Sequence, residues 1–413
     1  MQTDIHQGQA TAASGCPAEH AAISHQKTAQ APEPAAPPIE RDARGVWHVR
    51  SYALAREILR GENTRQAGFR AELLEEIPSR MKLPILYLEG QEHHTQRRQT
   101  ARFFTPRAVG ESYRAMMESL SDQLIIWLLR HGRADLSQLS MALAVRVAGQ
   151  IVGLTSSRLP GMARRLNAFF ENEIERPALS PRALLNFARS QLRVLAFFWL
   201  DVKPAIAARR RQPGEDVISH LLGQGRTDAE ILTECITYAA AGMATTREFI
   251  CVAAWHLLEQ PELRRTFLRA DEATRHELLQ EILRVEPVVG NLLRRATADI
   301  PVAAGEAAVT IPSGALINLH VYGLNADPAV VGAHPQAIQP GRELLAERTS
   351  PALMSFGDGH HRCPGAYVAI QESDIFLRRL LALGQLRIER TPSLGWSELV
   401  TGYELRNFVV AVA

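Results

Sequence analysis

The sequence predicts a mainly α-helical protein with short strands toward its two ends, on three observations. Residues 110–220 hold several amphipathic helical stretches, punctuated at Pro160-Gly161, Pro177, Pro181 and Pro213-Gly214. A long helix starts behind Thr227 or Asp228, either of which can cap it, and runs to about Glu259. Its middle, 236–246, carries no charge, and a helix apolar all round is buried in the core of a large protein. Residues 366–377 form a third, mostly apolar helix. With 413 residues and 46% apolar content the chain can build a large core, and length alone suggests two or three domains.

Residues 1–37, rich in Ala, Gln and Pro, read as a flexible tail. Residues 38–40 and 45–49 read as two short strands, followed by a helix from Tyr52 to about Arg60. Residues 65–88 are irregular, with Phe69, Met81, Leu83, Pro84, Ile85, Leu86 and Tyr87 spread among charges. Such a stretch is either functional and mobile, or a solvent loop with buried anchors. Residues 92–98 form a helix in which His93 and Arg97 share a face, four residues apart. Among the aromatics, Phe169, Phe170, Phe187, Phe197, Phe198 and Trp199 read mostly as core. Within the long helix, Gly242 costs about 1 kcal/mol against Ala. Thr245 and Thr246 behind it can turn their hydroxyls onto backbone carbonyls and bend the helix; close packing alone would also explain the three. Glu281 and Arg284 are spaced for a helix-surface ion pair. Residues 309–317 read as a hairpin around Pro312-Ser313-Gly314, and 385–412 as strands.

A net charge of +2 makes no case for nucleic acid or membrane as a partner. Cys16, Cys235, Cys251 and Cys363 form no C-x-x-C pair, which argues against a disulfide framework or zinc site and suits a reducing cytoplasm. No run of about 18 uncharged apolar residues is present, so no membrane span is expected. The first residues lack the basic and apolar regions of a secretory signal.

The chemistry concentrates in residues 356–365, where Gly357, Gly359 and Gly365 surround Cys363. Glycines at this density allow a tight loop that wraps a sulfur. The helix behind it favours an anion at its N-terminus, and the thiolate is the metal-binding form. The pattern Phe-Gly-x-Gly-x-His-x-Cys-x-Gly is filled at every specified position. It resembles the haem-binding signature of the cytochrome P450 family. The resemblance continues through His93 and Arg97 with the trailing Phe104-Thr105-Pro106, although His94 stands where the family has Thr. It includes Ala241, Gly242, Thr245 and Thr246, with Ala244 at the family's acidic position. It also covers Glu281, Arg284 and Arg342, and Arg294 in Arg-x-Ala-x-x-Asp.

The resemblance implies a single-domain, mainly α triangular-prism fold over 38–413, with small β-sheets near both termini, in place of the two or three domains suggested by length. It implies haem b with Cys363 as the axial thiolate. Phe356 would pack on the sulfur and Gly365 would stand in the loop around it. His93, Arg97, Arg294 and His361 would hold the propionates, and Ala241, Gly242, Thr245 and Thr246 the oxygen and proton side. Glu281, Arg284 and Arg342 would form a structural network. The implied activity is an O2-dependent monooxygenase of the cytoplasm, acting on a lipophilic small molecule of secondary metabolism. Electrons derived from NAD(P)H would come through separate ferredoxin and ferredoxin reductase proteins, an acidic ferredoxin docking near Arg98, Arg102 and Arg362. Residues 288–292 would line the substrate pocket, with Tyr403 at a substrate-facing turn and 65–88 as a lid. Peroxide-driven, oxidative-coupling or desaturating enzymes of the same family remain alternatives. A haem electron carrier or sensor is a weaker one, because Ala, Gly and Thr on the facing helix offer iron no sixth ligand.

Overall fold

The computed structural model describes residues 24–29, 36–69, 71, 82–170, 181–304 and 307–412. The other calls on the tail, and those on Cys16, Met81 and Pro177, lie outside these residues. The helices are α1 Tyr52–Arg60, α2 Gly90–Thr100, α3 Arg114–His131, α4 Leu136–Val152, α5 Met162–Phe170, α6 Pro181–Phe197, α7 Lys203–Arg211 and α8 Val217–Gly223. They continue as α9 Asp228–Tyr238, α10 Thr245–Glu259, α11 Pro261–Arg269, α12 Glu272–Val285, α13 Val321–Asn325, α14 Pro328–Val331 and α15 Ala366–Leu381. Among the described residues no helix is long and apolar enough to cross a membrane.

Local chemistry sets the ends that matter. Asp135 caps α4 by accepting from the Ser137 N–H. Thr227 and Glu230 cap α9 reciprocally, each side chain taking the other's backbone N–H. The helical core packs α10 against both α4 and α15, with Phe249, Phe376 and Phe408 buried. Of the aromatics read as core, Phe197 is buried, whereas Trp199 is 51% exposed.

Among the described residues the strands form four small sheets. The largest has the order β1 (Ile39–Arg41), β2 (Trp47–Val49), β8 (Leu316–His320), β5 (Asn291–Ala296), β3 (Thr64–Gln66). The others pair β4 (Arg133–Asp135) and β9 (Leu386–Arg390) with β12 (Val409–Val412), β6 (Ile300–Ala304) with β7 (Ala307–Ile311), and β10 (Ser393–Ser397) with β11 (Gly402–Arg406). The expected hairpin over 309–317 does not form. β7 pairs back with β6, while β8 runs parallel to β2 and antiparallel to β5. The turn at Gly314 (φ +81°) therefore links two sheets. Tyr403, expected at a turn, lies within β11, wholly buried; the turn residue is Thr401 (φ +48°).

Part of the presumed tail is ordered. His25 N–H donates to the Gln336 carbonyl at 3.0 Å, and Lys27 and Thr28 reach the carboxylate of Glu286 at the end of α12.

Candidate active site

The cysteine loop is held by its own backbone and by α1. Cys363 N–H donates to the Phe356 carbonyl at 2.8 Å. Gly359 has φ +64°, and a Cβ there would stand 2.0 Å from the Leu59 carbonyl oxygen, so only glycine lets the loop rest on the end of α1. Asp358 pairs with Arg60 at 3.0 Å and Arg56 at 3.4 Å across the same contact. Cys363 is half-buried. Burial pushes its thiol up, while the Gly365 N–H and the nearby Arg97 and Arg362 pull it down. Pro364 has no N–H, so the next residue supplies the donor.

α2 and β5 bring a group of basic side chains to this loop. His93 is buried and stacks on His361 with ring centroids 4.1 Å apart. His94 points the other way, its Nε2 2.9 Å from His360 Nδ1, which fixes His93 as the inner histidine. Arg97 donates to the Arg362 carbonyl at 2.5 Å. Arg294 is buried, 3.8 Å from Glu89. Glu89 also meets His361 at 3.0 Å and accepts from the Gln66 N–H at 2.6 Å. Burial lowers His93 to about 3, with His361 and Arg97 adding to it, and burial likewise lowers His361, Arg97 and Arg294. Burial alone would raise Glu89; His361, the Gln66 N–H and Arg294 together outweigh it and hold that carboxyl low.

The expected long helix runs from Asp228 to Glu259 but widens in its middle. Between α9 and α10 the chain makes a wide π-type turn, Ala239–Ala244. Thr245 Oγ1 donates to the Ala241 carbonyl at 2.7 Å, the i−4 bond that loosens a helix. Ala241 is exposed and Gly242 and Thr245 half-exposed, in contrast to the buried run that follows. A methyl group on Gly242 would meet nothing within 4 Å, so this glycine does not serve close packing. Thr246 is buried beside Glu372, whose carboxyl burial pushes up to about 8. Ala244 is buried. Glu248 accepts from Arg247, Arg406 and the Leu405 N–H, each at 2.7 Å, and is committed to those partners.

A family model for cytochrome P450 matches residues 276–391. Cytochrome P450-SOY of Streptomyces griseus is 27% identical over 411 residues, covering 95% of this chain and 89% of its own length. Pentalenic acid synthase of Streptomyces avermitilis is 28% identical over 365 residues, covering 86% of this chain and 83% of its own. The chain belongs to the cytochrome P450 family. In fold it matches a mutant of P450 EryK solved with erythromycin B, with a TM-score of 0.71 at 24% identity over 91% of this chain and 93% of that one. This P450 is a monooxygenase, an oxidoreductase that incorporates oxygen.

Family membership implies a haem-thiolate cofactor, and the residues present fit it. Four basic side chains sit where burial disfavours their charge, and among the described residues Glu89 is the carboxylate that meets two of them. Buried His93 Nδ1 has no hydrogen-bond partner. Two propionates would answer that deficit of anions, and Cys363 offers the sulfur an iron requires.

Glu281 joins Arg284 at 2.7 Å and Arg342 at 2.9 Å, and Arg284 also donates to the carbonyls of Asn325, Pro335 and Ala337, tying α12 to the loops ahead of the cysteine. Outside the cysteine loop lies a concavity of about 730 Å³ lined by Arg60, Phe356, Asp358 and Arg362 among others. Arg98, Arg102 and Arg362 are exposed.

Sequence reasoning missed four carboxylates. Glu230 and Glu234 accept from the Lys82 and Ile85 N–H groups at 2.9 and 3.0 Å, pinning the far end of the 65–88 stretch to α9. Glu372 could have been noticed as a charge inside an apolar helix. Glu89 and Glu234 carry no such signal, because their partners are distant in the chain.

Proposed function

We propose that this P450 inserts one atom of O2 into a lipophilic small molecule of secondary metabolism. Electrons derived from NAD(P)H would be delivered by a separate ferredoxin and ferredoxin reductase. The chain would work in the cytoplasm as one haem-binding domain over 38–413. The observation that carries the reading is the meeting of Cys363, Arg97, His93, His361 and Arg294, drawn from three separate parts of the chain.

Bound haem b would supply activation of dioxygen at a thiolate-ligated iron. Cys363 would be the ligand, oriented by the Phe356 carbonyl and the Gly365 N–H. Arg97 and Arg294 would clamp carboxylates, with His93 and His361 donating beside them. Ala241 and Gly242 leave room beside Thr245, whose hydroxyl holds a proton at the oxygen side. Thr246 ties that turn to Glu372, whose carboxyl burial pushes up to about 8. Arg98, Arg102 and Arg362 would receive the acidic ferredoxin.

A library screened for compounds that shift the haem Soret band identifies ligands. A hit turned over with surrogate redox proteins under labelled dioxygen should gain one labelled oxygen atom per product. Product without label contradicts the proposal.

A further inference from the structure

Residues 24–29 precede the first strand and look dispensable in composition, yet they complete a buried site. The side chain of Glu286 is wholly buried. Its Oε1 accepts from the Lys27 N–H at 2.6 Å and from His256 Nε2 at 2.8 Å; its Oε2 accepts from the Thr28 N–H at 3.2 Å and the Thr28 hydroxyl at 2.5 Å. A buried carboxylate needs its donors, and all but one of these come from the N-terminal segment. The segment is seated on both sides: His25 Nδ1 accepts from the Ile338 N–H at 3.0 Å, and Lys27 lies 4.6 Å over the Trp255 ring while pairing with Glu259.

The contacts lead onward to the stretch assigned to the substrate pocket. Glu286 is followed at once by Pro287 and residues 288–292. The Thr28 hydroxyl also meets Tyr322 OH at 2.8 Å, and the Tyr322 ring lies 3.1 Å from where a Cβ on Gly290 would stand. The Glu286 carbonyl accepts from Tyr403 OH at 3.3 Å, and a Cβ on the neighbouring Gly402 would stand 1.7 Å from the Val288 carbonyl oxygen. Residues 286–290 are thus gripped through Glu286 and Tyr322, and Thr28 touches both.

We propose that Thr28 is a positioning residue for the substrate pocket: through Glu286 and Tyr322 it sets the backbone of 288–292. The inference rests on the reading of 288–292 as pocket wall, and its test separates the two. Thr28→Val keeps the shape and the backbone bond but removes both hydroxyl contacts; Thr28→Ser retains them. In the full-length holoenzyme, amide exchange over 288–292 is measured alongside Soret titrations with imidazole, which needs little space, and 4-phenylimidazole, which must lie against the pocket wall. In Thr28→Val, exchange over 288–292 should quicken and 4-phenylimidazole should bind roughly five- to tenfold more weakly, about 1 kcal/mol, with imidazole unchanged. Thr28→Ser should behave as wild type. Unaltered exchange in Thr28→Val overturns the positioning role. Faster exchange with both azoles bound as before overturns the pocket-wall reading, and the role in substrate positioning with it.

Discussion

Thr245 and Glu248 lie within one turn of helix and have opposite commitments. The Thr245 hydroxyl donates to the Ala241 carbonyl of its own helix and stays half-exposed, whereas Glu248 is buried among Arg247, Arg406 and the Leu405 N–H. With Ala244 unable to carry a proton, we propose that delivery depends on Thr245 and water. In Thr245→Ala, product formed per NADH consumed should fall by about tenfold or more, since a positioned proton donor contributes ~10²–10⁴-fold and water replaces only part of it. Glu248→Gln should leave that ratio nearly unchanged and instead lower stability, by up to ~3–5 kcal/mol, as breaking a buried pair does. Collapsed coupling in Glu248→Gln with an unchanged melting temperature would reverse this assignment. Ala241, Gly242 and Thr245 were legible in the sequence because four-residue spacing is local. The ties of Glu248 to Leu405 and Arg406 were not, because 157 residues separate the nearer pair.

At the scale of elements, α2 presents two faces with different tasks. Its inner face holds His93 at a protonation constant of about 3, well below the ordinary value of 6.5, because burial disfavours the imidazolium. Between those values the unfolded chain binds a proton that the folded chain refuses. Stability of the apoprotein should therefore fall as pH drops from 6.5 toward 3, and His93→Gln should flatten that limb in melts across the pH range. A slope unchanged by the substitution would show that His93 does not set it. The outer face carries Arg98, with exposed Arg102 just beyond the helix. Arg102→Glu should slow haem reduction by an acidic ferredoxin severalfold, more at low salt than high, given a Debye length of roughly 10 Å at 0.1 M, while leaving substrate affinity alone. An unchanged rate across a salt series would contradict the docking face. The i, i+4 pairing of His93 and Arg97 announced the inner face. Nothing local announced that Glu89 would share it, or that β8 would pair with β2 rather than β7.

For the whole molecule, the parts that could be read ahead were those written in contiguous residues: the loop around Cys363, the helix beyond it, and the order of the motifs. What escaped was long-range. Thr28 reaches Glu286 across 258 residues, and Ile85 reaches Glu234 across 149, so a tail and a loop in the sequence became parts of the packed body. All of these contacts surround one claim, that the chain folds to present the Cys363 sulfur to a haem iron. The measurement that tests it most directly is the spectrum of the reduced protein under carbon monoxide. The wild-type chain should show the strongly red-shifted Soret band of a thiolate-ligated haem, and Cys363→His should lose that band while still binding haem. Persistence of the band in Cys363→His would contradict the assignment.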